Sequence, residues 1–244
     1  METIKLSQIW DDLIEDSRLG PKFRLYLQAD KYYKVDIEPE LIKYSKFLVK
    51  EIKERTMKDI PDESMRAGIL GQTIFHYILL AYKVPHVYAD PLLGNQFAFR
   101  KYFGKHFDVF IPNIGFLSVK TASEGENRIR VLIPVEEWHN EQHDYLIAMK
   151  IENEAQNEAR FYGWLKAEEV EALPKYRGPE TGYKEVYWTY LDPELARENR
   201  EYDIDFKASS MLKPLCNPAM FIRQILKQSL VFHKWQKKNL TSGL

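Results

Sequence analysis

Cysteine, long apolar runs and an excess of one charge are all missing from this chain. A single cysteine, Cys216, stands among 244 residues. No intramolecular disulfide and no cysteine-based zinc cluster can form, and the residue reads as a small buried hydrophobe. No stretch approaches the roughly 18 apolar residues of a membrane helix, and the opening METIKLSQIWDD has no signal-peptide pattern, so a soluble cytoplasmic protein without a membrane partner is expected. The net charge is −1, from 35 basic and 36 acidic residues. That excludes the overall basic footprint of a nucleic-acid packaging protein, while leaving room for a local basic groove. There is no Walker loop, GxGxxG or GxSxG, so nothing supports nucleotide-driven or serine-hydrolase chemistry. The six histidines show no zinc spacing. His139 and His143 stand four apart, but next to a proline-opened turn, and His76 lies among Ile, Phe, Tyr and Leu like a satisfied core residue.

What is present is enough apolar material for a real core: 45% hydrophobic and 14% aromatic residues, too much for a disordered chain. Residues 1–60 read as a helical extension. Ile4, Ile9, Trp10 and Leu13 recur at helical spacing, as do Leu41, Tyr44, Phe47, Leu48 and Ile52, with Pro39 opening the second helix. A third helix is expected from Asp62 to about Lys83, with Pro85 beyond its end. Short strand-like runs then follow at His86–Tyr88, Phe97–Phe99, Phe107–Ile111, Phe116–Thr121, Arg128–Ile133, Tyr145–Ile151 and Phe161–Leu165. Pro134 can open a short helix, and another, KAEEVEALP, closes at Pro174. Residues 175–244 read as an irregular segment ending in an amphipathic helix from Pro218 to about Lys238, with Phe221, Ile225, Leu226, Leu230 and Trp235 near one face. Helices, then strands, then a helix describe an α/β or α+β chain, with a core at residues 61–174 and additions at both ends in one compact domain.

The informative piece is FDVFIPNIGFLSVKTAS. A three-residue hairpin loop ending at Gly115, a residue free to adopt a left-handed conformation, pairs Phe110 with Ser118 and Asp108 with Lys120. Asp108, Ser118 and Lys120 then share one face of the sheet. A carboxylate and an ammonium held among Phe, Val, Ile and Leu form either a structural ion pair or a phosphodiester-hydrolysing site. In the second case Asp108 binds a divalent cation through oxygen, and Lys120 orients water or offsets transition-state charge.

These residues resemble the PD-(D/E)XK nuclease superfamily, in which an Asp opens one strand and a D/E-x-K triplet lies on the next. Here the Asp is Asp108 and the triplet is Ser118-Val119-Lys120, within a resemblance running from about Met65 to Pro174. It implies a restriction-endonuclease-like mixed sheet flanked by helices and a DNA endonuclease of restriction, viral or repair type. It also implies Mg2+, with Mn2+ able to substitute, double-stranded DNA as partner and a homodimer. Two acids depart from the pattern: Ser118 replaces Asp or Glu, and Gln72 replaces the helix Glu. The resemblance therefore assigns catalysis to Asp108, Lys120, Ser118 and Gln72. It assigns the metal to Asp108, the Val119 carbonyl, Gln72 and Glu136, which lies 16 residues beyond Lys120 with Glu137 next to it. Asp90, Glu124 and Glu126 are weighed as further acids. Arg128, Arg130, Lys101 and Lys105 are candidate nucleic-acid contacts. The alternative is a degenerate nuclease fold that binds nucleic acid without cutting it.

Overall fold

The computed structural model describes residues 25–28, 32–37, 39–56, 62–89, 107–122, 130–141, 143–152, 158–191 and 215–228. Several expectations fall outside them: the helix around Ile4 to Leu13, the strand Phe97–Phe99, and the side chains of Asp90, Lys101, Lys105, Glu124, Glu126 and Arg128. The helix beyond residue 228, with Leu230 and Trp235, lies outside them as well.

Among the described residues the chain is mixed α/β. In order it runs β1 (Leu25–Gln28), β2 (Tyr32–Asp36), α1 (Pro39–Thr56), α2 (Asp62–Ala81), β3 (Val87–Tyr88), β4 (Val109–Ile111) and β5 (Gly115–Ala122). It continues with β6 (Arg130–Pro134), α3 (Val135–Glu141), β7 (Tyr145–Ile151), β8 (Glu158–Lys166), α4 (Ala167–Glu171), β9 (Lys175–Tyr176) and β10 (Val186–Tyr190). Residues 218–228 form a last helix, α5.

A seven-stranded sheet has the order β1-β2-β8-β7-β5-β4-β3, and β6-β10-β9 form a separate three-stranded sheet. Every neighbouring pair in the large sheet is antiparallel except β5 and β7, which are parallel. Parallel neighbours need a crossover, and β6 and α3 lie in the connection between them.

The helical reading of residues 1–60 is corrected at β1 and β2. Tyr33, Val35 and Ile37 are buried while Tyr32, Lys34 and Asp36 are half-exposed, a period of two that makes a half-buried strand. The irregular reading after residue 175 is corrected at β10, whose five residues are all buried. A strand buried on both faces shows no alternation to read.

α2 begins with Asp62 and Glu63 in its first turn, where acids favour the helix dipole. It lays Leu70, Ile74, Phe75 and Ile78 against Val109, Leu117, Val119, Ile147 and Phe161 on one face of the sheet, joined by Phe221, Ile222 and Ile225 of α5. The helix can lie this close because residue 71 is glycine: a Cβ there would come within 1.9 Å of Thr121 Oγ1 on β5. The other face buries Ala122, Leu146 and Ala148 beneath Val131 and Ile133 of β6, Trp138 of α3 and Tyr187 of β10. At α5, the Asn217 side chain accepts from the Ala219 N–H at 2.7 Å, and Pro218 occupies the first helical position.

Candidate active site

The hairpin forms with a register two residues away from the expected one. Ile111 pairs with Gly115, Phe110 with Phe116 and Val109 with Leu117, so Asp108 lies level with Ser118 rather than Lys120. The loop is Pro112-Asn113-Ile114, closed by the Ile114 N–H on the Ile111 carbonyl at 3.0 Å. Asn113 takes the left-handed conformation, φ 65°. Proline followed by a left-handed residue suits the two centre positions of a tight turn, so the turn closes one residue earlier than Gly115 alone suggests. A shift of two preserves the faces, and Asp108, Ser118 and Lys120 stay on the same side.

The ladder between β4 and β5 stops at Asp108, whose N–H donates to the Leu117 carbonyl at 3.1 Å. The next N–H on that edge of β5, that of Val119, has no β4 carbonyl opposite it. It donates instead to Asp108 Oδ2 at 2.6 Å. The amide of Gln72 on α2 donates to Oδ1 at 2.7 Å, a reach that the close approach at Gly71 permits. Asp108 is thus fixed through both oxygens by neutral donors. Desolvation pushes its carboxyl above the ordinary range, against the pull of Lys120, the Val119 N–H and His143.

Lys120 pairs with Glu137 of α3. Glu136, the expected acid, is exposed. Successive helical residues point about 100° apart, so only one of two neighbours can turn toward the sheet. Burial works to lower Lys120, but the carboxylates of Glu137, Asp108 and Glu141 outweigh it and hold the ammonium above its ordinary value. Glu141, one turn beyond Glu137, also accepts His143 Nε2–H at 2.8 Å. The corner therefore gathers three carboxylates, Asp108, Glu137 and Glu141, around one ammonium. Glu137 was visible in the sequence as the neighbour of Glu136. Nothing in the spacing singled out Glu141 or His143.

No protein-family model matches the chain, and no curated protein matches it.

Ser118 is 1% exposed and lies beneath the surface of the corner, away from any ligand. Arg130 sits on the second sheet with its guanidinium over the Trp188 ring, 5.5 Å from the centroid. Among the described residues no three His, Cys, Asp or Glu side chains converge to hold a metal ion. A cation that keeps its own water asks for less: magnesium is ordinarily held by one or two carboxylates, with waters and substrate phosphates completing six oxygens. Asp108 and Glu137, with the Gln72 amide oxygen and the Val119 carbonyl, offer a donor set of that chemistry.

Proposed function

We propose that the Asp108–Lys120 corner is a divalent-cation-dependent phosphodiester-hydrolysing site and that the protein is a DNA endonuclease, of restriction type or a related viral or repair type. The observation that carries this reading is the charge of the corner. Three carboxylates stand around a single ammonium, and the most buried of them, Asp108, is met only by neutral N–H donors. An uncompensated buried carboxylate costs stability, and a fold bears that cost most reasonably where a cation is to bind. The order of a helix, an antiparallel hairpin bearing Asp108 and Lys120, and a following parallel strand supports the PD-(D/E)XK resemblance. The buried Ser118 leaves Glu137, from α3, as the acid that stands in for the one missing from the triplet.

Asp108 and Glu137 would hold Mg2+ or Mn2+, with the Val119 carbonyl and Gln72 beside them. When bound, the cation supplies positive charge against the scissile phosphate and acidifies water. Lys120, an ammonium among carboxylates, places a second positive charge where the phosphate gains negative charge in the transition state. Arg130, with Lys101, Lys105 and Arg128, is assigned to the DNA backbone, and a homodimer would supply a second site for the opposite strand.

The test is cleavage of plasmid DNA with Mg2+ or Mn2+ by the full chain beside Asp108→Ala and Lys120→Ala. Wild type is expected to nick or linearise the plasmid, and each variant to lose about 10²–10³ in rate, the loss typical of removing one group that stabilises the transition state. Undiminished cleavage by Asp108→Ala overturns the site. If wild type cuts no DNA, RNA or branched substrate, the non-cutting, nucleic-acid-binding reading replaces the enzyme.

A further inference from the structure

One helical turn past Gln72, on the same side of α2, stands a pair of imidazoles that the corner does not use. His76 Nδ1 lies 2.6 Å from His86 Nε2, and His86 Nδ1 lies 2.7 Å from the Val84 carbonyl. A carbonyl only accepts, so His86 carries its proton on Nδ1. Its Nε2 is then the acceptor, and the proton between the rings belongs to His76 Nδ1. Burial keeps both rings neutral, His76 pushed down to about 3 and His86 to about 4. The lone pair of His76 is thereby confined to Nε2, which has no hydrogen-bond partner among the described residues and is not among the buried unpartnered atoms. Tyr88 stacks on the ring at 4.6 Å and 13°, fixing its plane. A ring whose Nδ1–H is anchored, with its Nε2 lone pair left over, is oriented as metal-binding histidines are oriented by their hydrogen-bonded partners.

The ring also stands beside the corner. Residues four apart on a helix have Cβ atoms about 5–6 Å apart, and side chains lean back toward the helix N-terminus, so His76 leans over Gln72. The Gln72 amide spends its N–H on Asp108 and keeps its oxygen. On the other side, Tyr88 pairs with Val109, and the Ala89 N–H donates to the Asp108 carbonyl at 2.9 Å. We infer that His76 Nε2 is a nitrogen ligand of the cation held at Asp108, paired with the Gln72 amide oxygen across one turn of α2, with His86 positioning the ring. This rests on reading the corner as a cation site. A neutral imidazole suits Mn2+, Co2+ or Zn2+ far better than Mg2+, so the site is selective for a transition metal.

The test uses the full chain loaded with Mn2+ alone, read by calorimetry and by electron spin echo modulation, which detects nitrogen coupled to the metal. Wild type is expected to show a histidine nitrogen coupling that His76→Gln abolishes, with Mn2+ affinity reduced tenfold or more and Mg2+ affinity little changed. His86→Gln is expected to weaken Mn2+ about tenfold through loss of ring orientation. Bound Mn2+ without nitrogen coupling in wild type, or a coupling that survives in His76→Gln, overturns the ligand while leaving the Asp108 site standing. The wild-type spectrum decides this even where a variant folds poorly. Failure of wild type to bind any Mn2+, or equal binding by Asp108→Asn, removes the cation site itself.

Discussion

Lys34, Arg160 and Lys150 lie side by side across β2, β8 and β7, in a row that reaches Ala122 on β5, two residues from Lys120 on the same face. Three adjacent cations should repel, and two acids prevent it. Glu158 takes both Lys34 and Arg160 at 2.6 Å, and Glu152 takes Lys150 at 3.0 Å and Arg160 at 3.2 Å. Arg160 also lies 4.8 Å over the Tyr32 ring. Here every acid serves two cations. In the Asp108 corner the ratio is reversed, and three acids crowd one ammonium. The consequence appears in the carboxyls. Burial works to raise Glu158, but Lys34 and Arg160 hold it below its ordinary value. Asp108, for want of such partners, stands above its own. Partly buried charge on one sheet thus comes in a self-compensated form and an under-compensated one, and only the second needs something from outside the chain.

Exchanging one acid in each cluster sharpens that contrast most. Glu137→Gln should lower DNA cleavage by about 10²–10³. It should shift the urea midpoint little, because an ion pair with that much solvent contact contributes about 0–1 kcal/mol. Glu158→Gln should do the reverse: cleavage unchanged, with stability down by about 1–3 kcal/mol as Lys34 and Arg160 lose their shared carboxylate. Equal effects of the two variants on cleavage would dissolve the distinction.

Acid should act next, through the imidazole pair flanking the corner. The folded values of His76 and His86, about 3 and about 4, lie below the ordinary 6.5. Their contribution to stability is therefore complete above about pH 6.5 and is lost as pH falls toward 4, where the unfolded chain takes up protons that the fold refuses. With two such groups the slope can approach about 2.7 kcal/mol per pH unit. Asp108, raised rather than lowered, works in the opposite sense, so the net loss is smaller. Urea titrations of wild type and His86→Gln between pH 7.5 and 5 separate the two, and the variant is expected to show about half the slope. An unchanged slope would remove the neutral-pair assignment.

Much of this arrangement is legible in the residues and some is not, for physical reasons. α2, β7 and the helix opened by Pro134 carry strong periodicity or a proline at the start. The shared face of Asp108, Ser118 and Lys120 follows from parity alone, which survives the two-residue register shift at Pro112-Asn113. β1, β2 and β10 are harder, since two are short and the third is buried on both sides. The choice of Glu137 over Glu136 depends on the phase of a seven-residue helix, which no local spacing specifies. The His76–His86 contact joins residues ten apart across the end of α2, where Lys83 turns left-handed at φ 53°. His76 is half-buried rather than a fully enclosed core residue.

The smallest effect expected is that of salt. Lys34, Lys150 and Arg160 keep 33%, 18% and 26% of their side chains in contact with solvent, so added ions reach all three. At 1 M ionic strength the screening length shrinks to about 3 Å, close to the ion-pair distances themselves. Raising NaCl from 0.1 M to 1 M should therefore cost wild type no more than about 1 kcal/mol, and Glu158→Gln, with the network already opened, less. Chloride is the salt to use, because sulfate strengthens apolar burial and would mask the loss. Glu137→Gln provides the matching control. Its corner keeps a single ammonium and two acids, so screening relieves less repulsion than in wild type, and the two clusters should respond to salt with opposite signs. A common sign would mean that both are ordinary surface ion pairs, and the reason for expecting a cation at Asp108 would go with it.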